Sequence, residues 1–130
     1  MWFLILLAAA TAAPARGADT DILGRWSNSN ETVLVEVTKC GRGICGRVVR
    51  ASAGAETDAR KAGAPPMVGT QVLRDFEARR AGTWSGRVFV PARNRTFRST
   101  LTRIDGNRIR IDACILGGLI CDGEVWRRAG

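Results

Sequence analysis

Four cysteines fall in two close pairs, and each pair brackets a glycine-bearing stretch. Cys40 and Cys45 enclose Gly41 and Gly43; Cys114 and Cys121 enclose Gly117 and Gly118. The flanking segments alternate apolar and polar residues, so each pair straddles the turn of one hairpin, where the sulfurs can meet with little rearrangement of the chain. This predicts local bridges, Cys40–Cys45 and Cys114–Cys121, in a chain of antiparallel hairpins. An even cysteine count in a small exported chain reads as a disulfide framework. Zinc is the competing use. It usually wants C-x₂₋₄-C pairs repeated, often with histidine. C-GRGI-C just fits, but C-ILGGLI-C is too widely spaced, and the chain has no His. Disulfides are therefore expected, and no metal.

Export is read from the N-terminus. Trp2 to Ala10 is an unbroken apolar run, WFLILLAAA, followed by Pro14 between Ala13 and Ala15. The run is too short to span a bilayer, which needs ~20 residues. It has the form of a signal-peptide core with an A-x-A cleavage site, although no Lys or Arg follows Met1. A buried N-terminal helix or a membrane anchor is the alternative. The expected organisation is a signal peptide over residues 1–15 and a single β-barrel domain over 16–130. Roughly 115 residues remain, enough for one modest core. The mature chain is expected in the periplasm or secreted, with no transmembrane segment.

Periodicity predicts strands repeatedly. Thr32–Thr38 places Val33, Val35 and Val37 on one face, and Ile44–Arg50 returns after the first cysteine turn. Residues 51–66 are rich in Ala and Gly and close with Pro65-Pro66, a loop with at most one helical turn. Val68–Phe76 is apolar enough for a strand. TWSGRVFV aligns Trp84, Val88 and Val90, and RTFRSTLTR turns Phe97 and Leu101 inward. Asp105-Gly106-Asn107 is a tight-turn signal. Beyond it Ile109 and Ile111 alternate with Arg108 and Arg110, and Leu119–Arg128 closes the chain. With a short first strand at Ile22–Ser27 there are about eight strands and no helix of useful length. Regular strand spacing predicts an all-β barrel or sandwich. An outer-membrane barrel is rejected, because the outward residues are Arg, Thr and Asp and there is no Tyr for an aromatic girdle.

Taken together, ILGRWSNSN, VEVTKCGRGICGRVV, GTWSGRVFVP and CILGGLICDGEVWRR resemble a family of small secreted bacterial proteins known as the domain of unknown function 2147 family. The resemblance covers essentially the whole mature chain. Its most specific piece is the C-x₄-C-G-R hairpin followed much later by a terminal Trp-Arg. It implies a small antiparallel up-and-down barrel, lipocalin- or calycin-like, in the cell envelope, and no established activity. The chain departs from the family at Phe89-Val90-Pro91, where relatives carry an aromatic-Asp-Pro turn, and at Asn94–Phe97, where they carry Gly-Lys-Thr-Tyr. A further likeness is Gly24-x-Trp26 with an arginine near the end of the chain, for which Arg127 is the expected partner. In lipocalins this Trp plugs the closed end beneath an Arg, so Gly24, Trp26, Trp126 and Arg127 are expected to be structural.

The net charge is +8, carried by 18 Arg and 2 Lys. The arginines are dispersed, with Arg79-Arg80 and Arg127-Arg128 the adjacent pairs, and this predicts a solvated surface and no nucleic-acid partner. Chemistry is poorly equipped. Without His or Tyr, histidine acid–base and triad mechanisms are unavailable. Asp122 and Glu124 share one strand face, as a pair for glycoside chemistry would, but a solvated or Arg-paired edge is the expected reading, as for Asp75 and Glu77. There is no nucleotide-binding glycine loop. No enzyme activity and no cofactor are expected. The leading functional expectation is a binding module for a small lipophilic ligand in a shallow lumen lined by Trp84, Val88, Phe97, Leu101, Ile109 and Ile111. Its site is expected near Trp84 and Phe97, where the small residues Gly86 and Ser99 follow two positions on. The alternative is an interaction protein that meets an anionic envelope polymer or a partner protein through its Arg-rich surface.

Overall fold

The computed structural model describes residues 19–129. The expected leader, residues 1–15, lies outside them. Eight antiparallel strands follow in chain order: β1 (Gly24–Ser27), β2 (Val33–Cys40), β3 (Gly43–Ala51), β4 (Gln71–Arg80), β5 (Thr83–Val90), β6 (Arg95–Asp105), β7 (Arg108–Ile115) and β8 (Ile120–Arg128). Each pairs with the next, and β8 returns to β1 through Trp26 opposite Arg128 and Ser27 opposite Arg127, closing the barrel. Closure leaves no unpaired edge on which another chain could template. Both expected disulfides, Cys40–Cys45 and Cys114–Cys121, are present. The first staples the β2–β3 turn at one end of the barrel and the second the β7–β8 hairpin at the other. Each closes a short loop and is worth roughly 2 kcal/mol.

The stretch expected to be a loop is instead interrupted by a helix, α1 (Ala53–Lys61). The Ser52 side chain caps it by accepting from the Ala55 N–H at 3.1 Å, Glu56 lies in its first turn, and Arg60 and Lys61 lie in its last. Those are the charges the helix dipole favours at each end. The segment offers only Ala59 to the core as a fully buried residue, too weak an apolar stripe to be recognised from periodicity. Glu56 then accepts the Met67 N–H, at 3.0 and 3.2 Å to its two oxygens, and so ties the connection after the helix back over the barrel.

One end of the barrel is filled solid. Ile22, Trp26, Ile44, Phe76, Trp84, Leu101 and Ile109 are all fully buried there. Phe76 reaches this layer through a bulge in β4. Arg74 opposes Arg87 and Glu77 opposes Ser85, so Asp75 and Phe76 together face the single residue Gly86. Asp75 takes a left-handed backbone conformation (φ 55°) and turns out to pair with Arg87. The step this adds to the strand's alternation sends the Phe76 ring inward. A Cβ on Gly86 would stand 2.6 Å from the Phe76 ring and 2.7 Å from the Arg74 carbonyl oxygen. The space expected beside Trp84 is therefore occupied by Phe76.

The base is sealed by polar contacts on aromatic rings. Trp26 donates its indole N–H to the Ile22 carbonyl at 2.9 Å, and a guanidinium lies 4.3 Å from the centre of its ring. That guanidinium belongs to Arg128. Arg127, expected in this role, is exposed, because adjacent strand residues face opposite sides. Arg128 also donates to the carbonyls of Asp21 (2.6 Å), Leu23 (2.8 Å) and Gly106 (2.8 Å). Gly24 makes room for it: a Cβ there would lie 3.1 Å from an Arg128 nitrogen, and Gly24 has φ 118°. Beside this plug, buried Asp19 accepts the Trp84 indole N–H at 2.7 Å and pairs with Lys39 at 2.6 Å. Burial opposes the charge on Asp19, but the hydrogen bonds from Lys39 and Trp84 outweigh it and hold the carboxyl below its ordinary value of 3.8.

Trp26→Ala is expected to destabilise the fold by ~3–5 kcal/mol, the range for deleting a buried large aromatic; an unchanged melting temperature would show that the ring does not carry the base. Asp19→Ala orphans the Trp84 N–H and should cost ~1–3 kcal/mol, whereas Asp19→Asn, which keeps an acceptor, should cost less. Because the folded pKa of Asp19 is depressed, its contribution is present above the ordinary value of 3.8 and is lost as pH falls through the folded value. Denaturant titrations of wild type and Asp19→Asn should therefore converge in strongly acidic buffer.

Candidate functional site

The opposite end of the barrel is a cup. Four connections surround its mouth: residues 28–32, residues 52–70 with α1, the 3₁₀ turn Pro91–Arg93, and the hairpin tip around the 3₁₀ turn Leu116–Gly118. They enclose a cavity of about 740 Å³, within the range of pockets that hold drug-sized molecules. Its apolar wall is made of Val35, Val72, Val88, Phe97, Ile111 and the ring of Trp126. Met67, pinned by Glu56, contributes from the long connection. The loop at 28–32 is set by Asn28, whose side-chain oxygen accepts the N–H groups of Thr32 and Val33 at 2.8 and 2.9 Å.

Of the six residues expected to line the lumen, Val88, Phe97 and Ile111 do so. Trp84, Leu101 and Ile109 do not; they are fully buried in the solid base. The difference is one of height and not of facing. Trp84 opposes Leu101, Leu101 opposes Ile111 and Ile111 opposes Glu124 across successive strands. In a barrel with tilted, staggered strands such a row climbs along the axis. It starts in the base and finishes in the cup. The open space expected near Trp84 therefore begins above it, in the cavity of about 740 Å³.

Strand β8 adds polar groups to the cavity, beside Asn28, Asn30, Thr32, Ser52, Asp58 and Arg93 from the rim. Asp122, Glu124 and Trp126 alternate along the strand and all line the cup. Asp122 is exposed at the mouth and Glu124 is half-buried. Among the described residues neither carboxylate forms an ion pair with an arginine, unlike Asp75, Asp105 and Asp112, which pair with Arg87, Arg108 and Arg110. Glu124 instead accepts the backbone N–H of Ser29 at 2.9 Å and its hydroxyl at 2.8 Å, holding the rim loop to the wall. Trp126, expected to be structural, is 8% exposed, and its indole nitrogen is buried without a hydrogen-bond partner. The sequence carried the signal for this arrangement. Once Trp126 is placed inward, parity places Glu124 and Asp122 inward too.

The mouth itself is apolar on one side. Ile115, Leu116, Leu119 and Ile120 are 46%, 66%, 86% and 54% exposed around the second disulfide, and Ile115 and Ile120 reach into the cavity wall. No helix among the described residues is long and apolar enough to cross a membrane.

The fold is similar to that of protein HP1028 from the human pathogen Helicobacter pylori, a protein that belongs to the lipocalin family. The TM-score is 0.68 with 12% sequence identity, over 84% of this chain and 83% of that one. No curated protein matches the sequence. A family model of uncharacterized proteins conserved in bacteria (DUF2147) matches residues 24–128, from the glycine that opens β1 to the arginine that caps Trp26. The chain thus belongs to this bacterial family, built on a lipocalin-like barrel.

Proposed function

We propose that this protein is a non-catalytic binding module of the cell envelope that takes a small lipophilic ligand into the cup. The observation that carries the reading is the cavity of about 740 Å³, apolar-walled and reached through the ring of loops opposite the sealed base. A lipocalin-like fold is typically a binder. Burying a ligand's apolar surface here would contribute on the order of 25 cal/mol per Å² before the costs of association. Two disulfides are compatible with residence in an oxidising compartment. The sequence offers neither His nor Tyr for acid–base work, which favours binding over catalysis.

A fluorescent apolar probe is expected to bind wild type with an affinity that hardly changes with ionic strength. Ala113 lines the cavity, and Ala113→Phe should weaken uptake by about tenfold or more by filling it, with the melting temperature near that of wild type. No uptake by wild type would remove the reading. Uptake that collapses as salt rises would point to the Arg-rich exterior as the functional surface.

A further inference from the structure

Large apolar side chains are left in solvent mainly at one point of the molecule. Ile115, Leu116, Leu119 and Ile120 flank the Gly117-Gly118 turn of the β7–β8 hairpin, and all four are exposed; the other such residues among those described are Val68 and Ile104. A turn of this kind needs its glycines and not its leucines. Leu116 takes a left-handed backbone conformation (φ 53°), which glycine or asparagine adopts at less cost. The Cys114–Cys121 disulfide closes the tip and limits its freedom to fold back onto the barrel. The neighbouring wall is basic. Arg98 opposes Cys114 across β6 and β7, so the start of β6 at Arg95 and the turn Pro91–Arg93 before it run beside the tip. Arg93, Arg95 and Arg98 are exposed, and none of them forms an ion pair among the described residues. The acids of the rim are placed differently. Asp58, Asp122 and Glu124 line the cavity, which Arg93 also borders, and Glu31 lies on the far flank of the hairpin, in the loop after β1.

From these features we propose that the β7–β8 tip docks the protein on an anionic lipid surface. Leu116 and Leu119 enter the boundary between headgroups and acyl chains, while Arg93, Arg95 and Arg98 meet the lipid phosphates beside them. Such a surface favours this combination, because burial of apolar area adds to the attraction between cations and negative headgroups. Arginine suits the place, since its fork of donors matches phosphate oxygens. A second copy of the chain fits the tip less well. It would bring the same arginines and a net charge of +8 to the contact. A few side chains on a finger also fall far short of the roughly 20–30 residues a side of a stable interface. Docking does not depend on the cup being a binding site. It does fix the orientation of the molecule. Ile115 and Ile120 belong both to the tip and to the cavity wall, so the mouth faces the bilayer and the sealed base faces water.

The test is flotation of the full chain with vesicles of phosphatidylcholine, alone or mixed with phosphatidylglycerol, combined with hydrogen exchange of the protein on each. It compares wild type with Leu116→Ser/Leu119→Ser and Arg95→Gln/Arg98→Gln. All three carry the same N-terminus, so differences among them report on the tip. The substituted positions are exposed, and melting temperatures should match wild type. Wild type is expected to favour the phosphatidylglycerol vesicles by about tenfold or more, and less so as salt rises. Exchange at residues 115–120 should slow on those vesicles, a local readout that needs no substitution. The leucine variant should lose that protection and about tenfold in partitioning. The arginine variant should lose about tenfold on the anionic vesicles with little change on the neutral ones. Unchanged exchange at residues 115–120 in wild type, or protection that survives in the leucine variant, would overturn the docking. Equal partitioning of wild type between the two kinds of vesicle would overturn the role of the arginines. Protection that appears without vesicles as protein concentration rises, with a doubled mass in sedimentation, would assign the tip to a second copy instead.

Discussion

Closure of the barrel depends on Arg128. Its backbone pairs the last strand to the first, and its guanidinium covers the Trp26 ring while donating to three carbonyls, of Asp21, Leu23 and Gly106. These groups come from the start of β1's approach, from the β6–β7 turn and from the end of the chain. They are distant in sequence and meet only once the sheet has curled fully round. A flat aromatic needs a partner that is planar, cationic and rich in donors if its exposed face is to be covered without stranding nearby carbonyls. A guanidinium meets all three requirements and an ammonium does not. With the base fixed in this way, the termini of the described chain and the sealed end become one structure, and the longer connections, residues 28–32, 52–70, 91–94 and 116–119, are left at the other end.

What divides the barrel into a solid half and a hollow half is the bulge at Asp75–Phe76. An eight-stranded barrel is near the size at which side chains alone can fill it. Here β4 inserts one large ring above Gly86 and beside Trp84, Leu101 and Ile109. At the height of the cup the corresponding wall positions hold Val35, Val72, Val88 and Ala113. These short side chains, set among the larger Phe97, Ile111 and Trp126, leave the space that becomes the cavity. The solid half supplies rigidity, and the walls of the cup extend directly from it. On the proposed binding role, a cavity supported in this way would lower the ordering cost of taking up a ligand.

Polarity is distributed in the same two-ended manner. At the base the buried polar groups satisfy one another: Trp26 with Ile22, Trp84 with Asp19, Asp19 with Lys39. On the outer wall arginines pair with neighbouring acids at exposed positions, where such pairs contribute little to stability. In the cup the pattern changes. Acidic groups stand without basic partners among the described residues, and a tryptophan N–H has no acceptor. Native interiors rarely leave buried donors in this state, so the cup is where the chain departs from self-sufficiency.

Much of this was legible in the chain itself. Two short-range cysteine pairs around glycine turns determined the disulfides, because sulfurs on adjoining hairpin strands lie within reach whatever the rest of the fold does. Alternation determined most of the strands and the inward face of β2, β5, β6 and β7, since that depends only on the period of two along an extended backbone. Gly24 and Trp26 were recognisable as a plug through the likeness to lipocalins and not from alternation. Tertiary structure decided the rest. Whether Arg127 or Arg128 covered Trp26 depended on the parity of β8 relative to β1, which exists only after closure. Whether an inward residue lay in the base or the cup depended on strand stagger, and this separated Trp84 and Leu101 from Val88 and Ile111 although all four face the axis. The bulge that sent Phe76 inward could not be read from alternation, because a bulge is a break in alternation. The helix at Ala53–Lys61 was hidden in a segment with a single buried apolar residue. Period and turn chemistry are properties of a few neighbouring residues and can be read one segment at a time. Height, closure and empty space are relations among strands far apart in sequence, and they take definite values only when the whole sheet has wrapped onto itself.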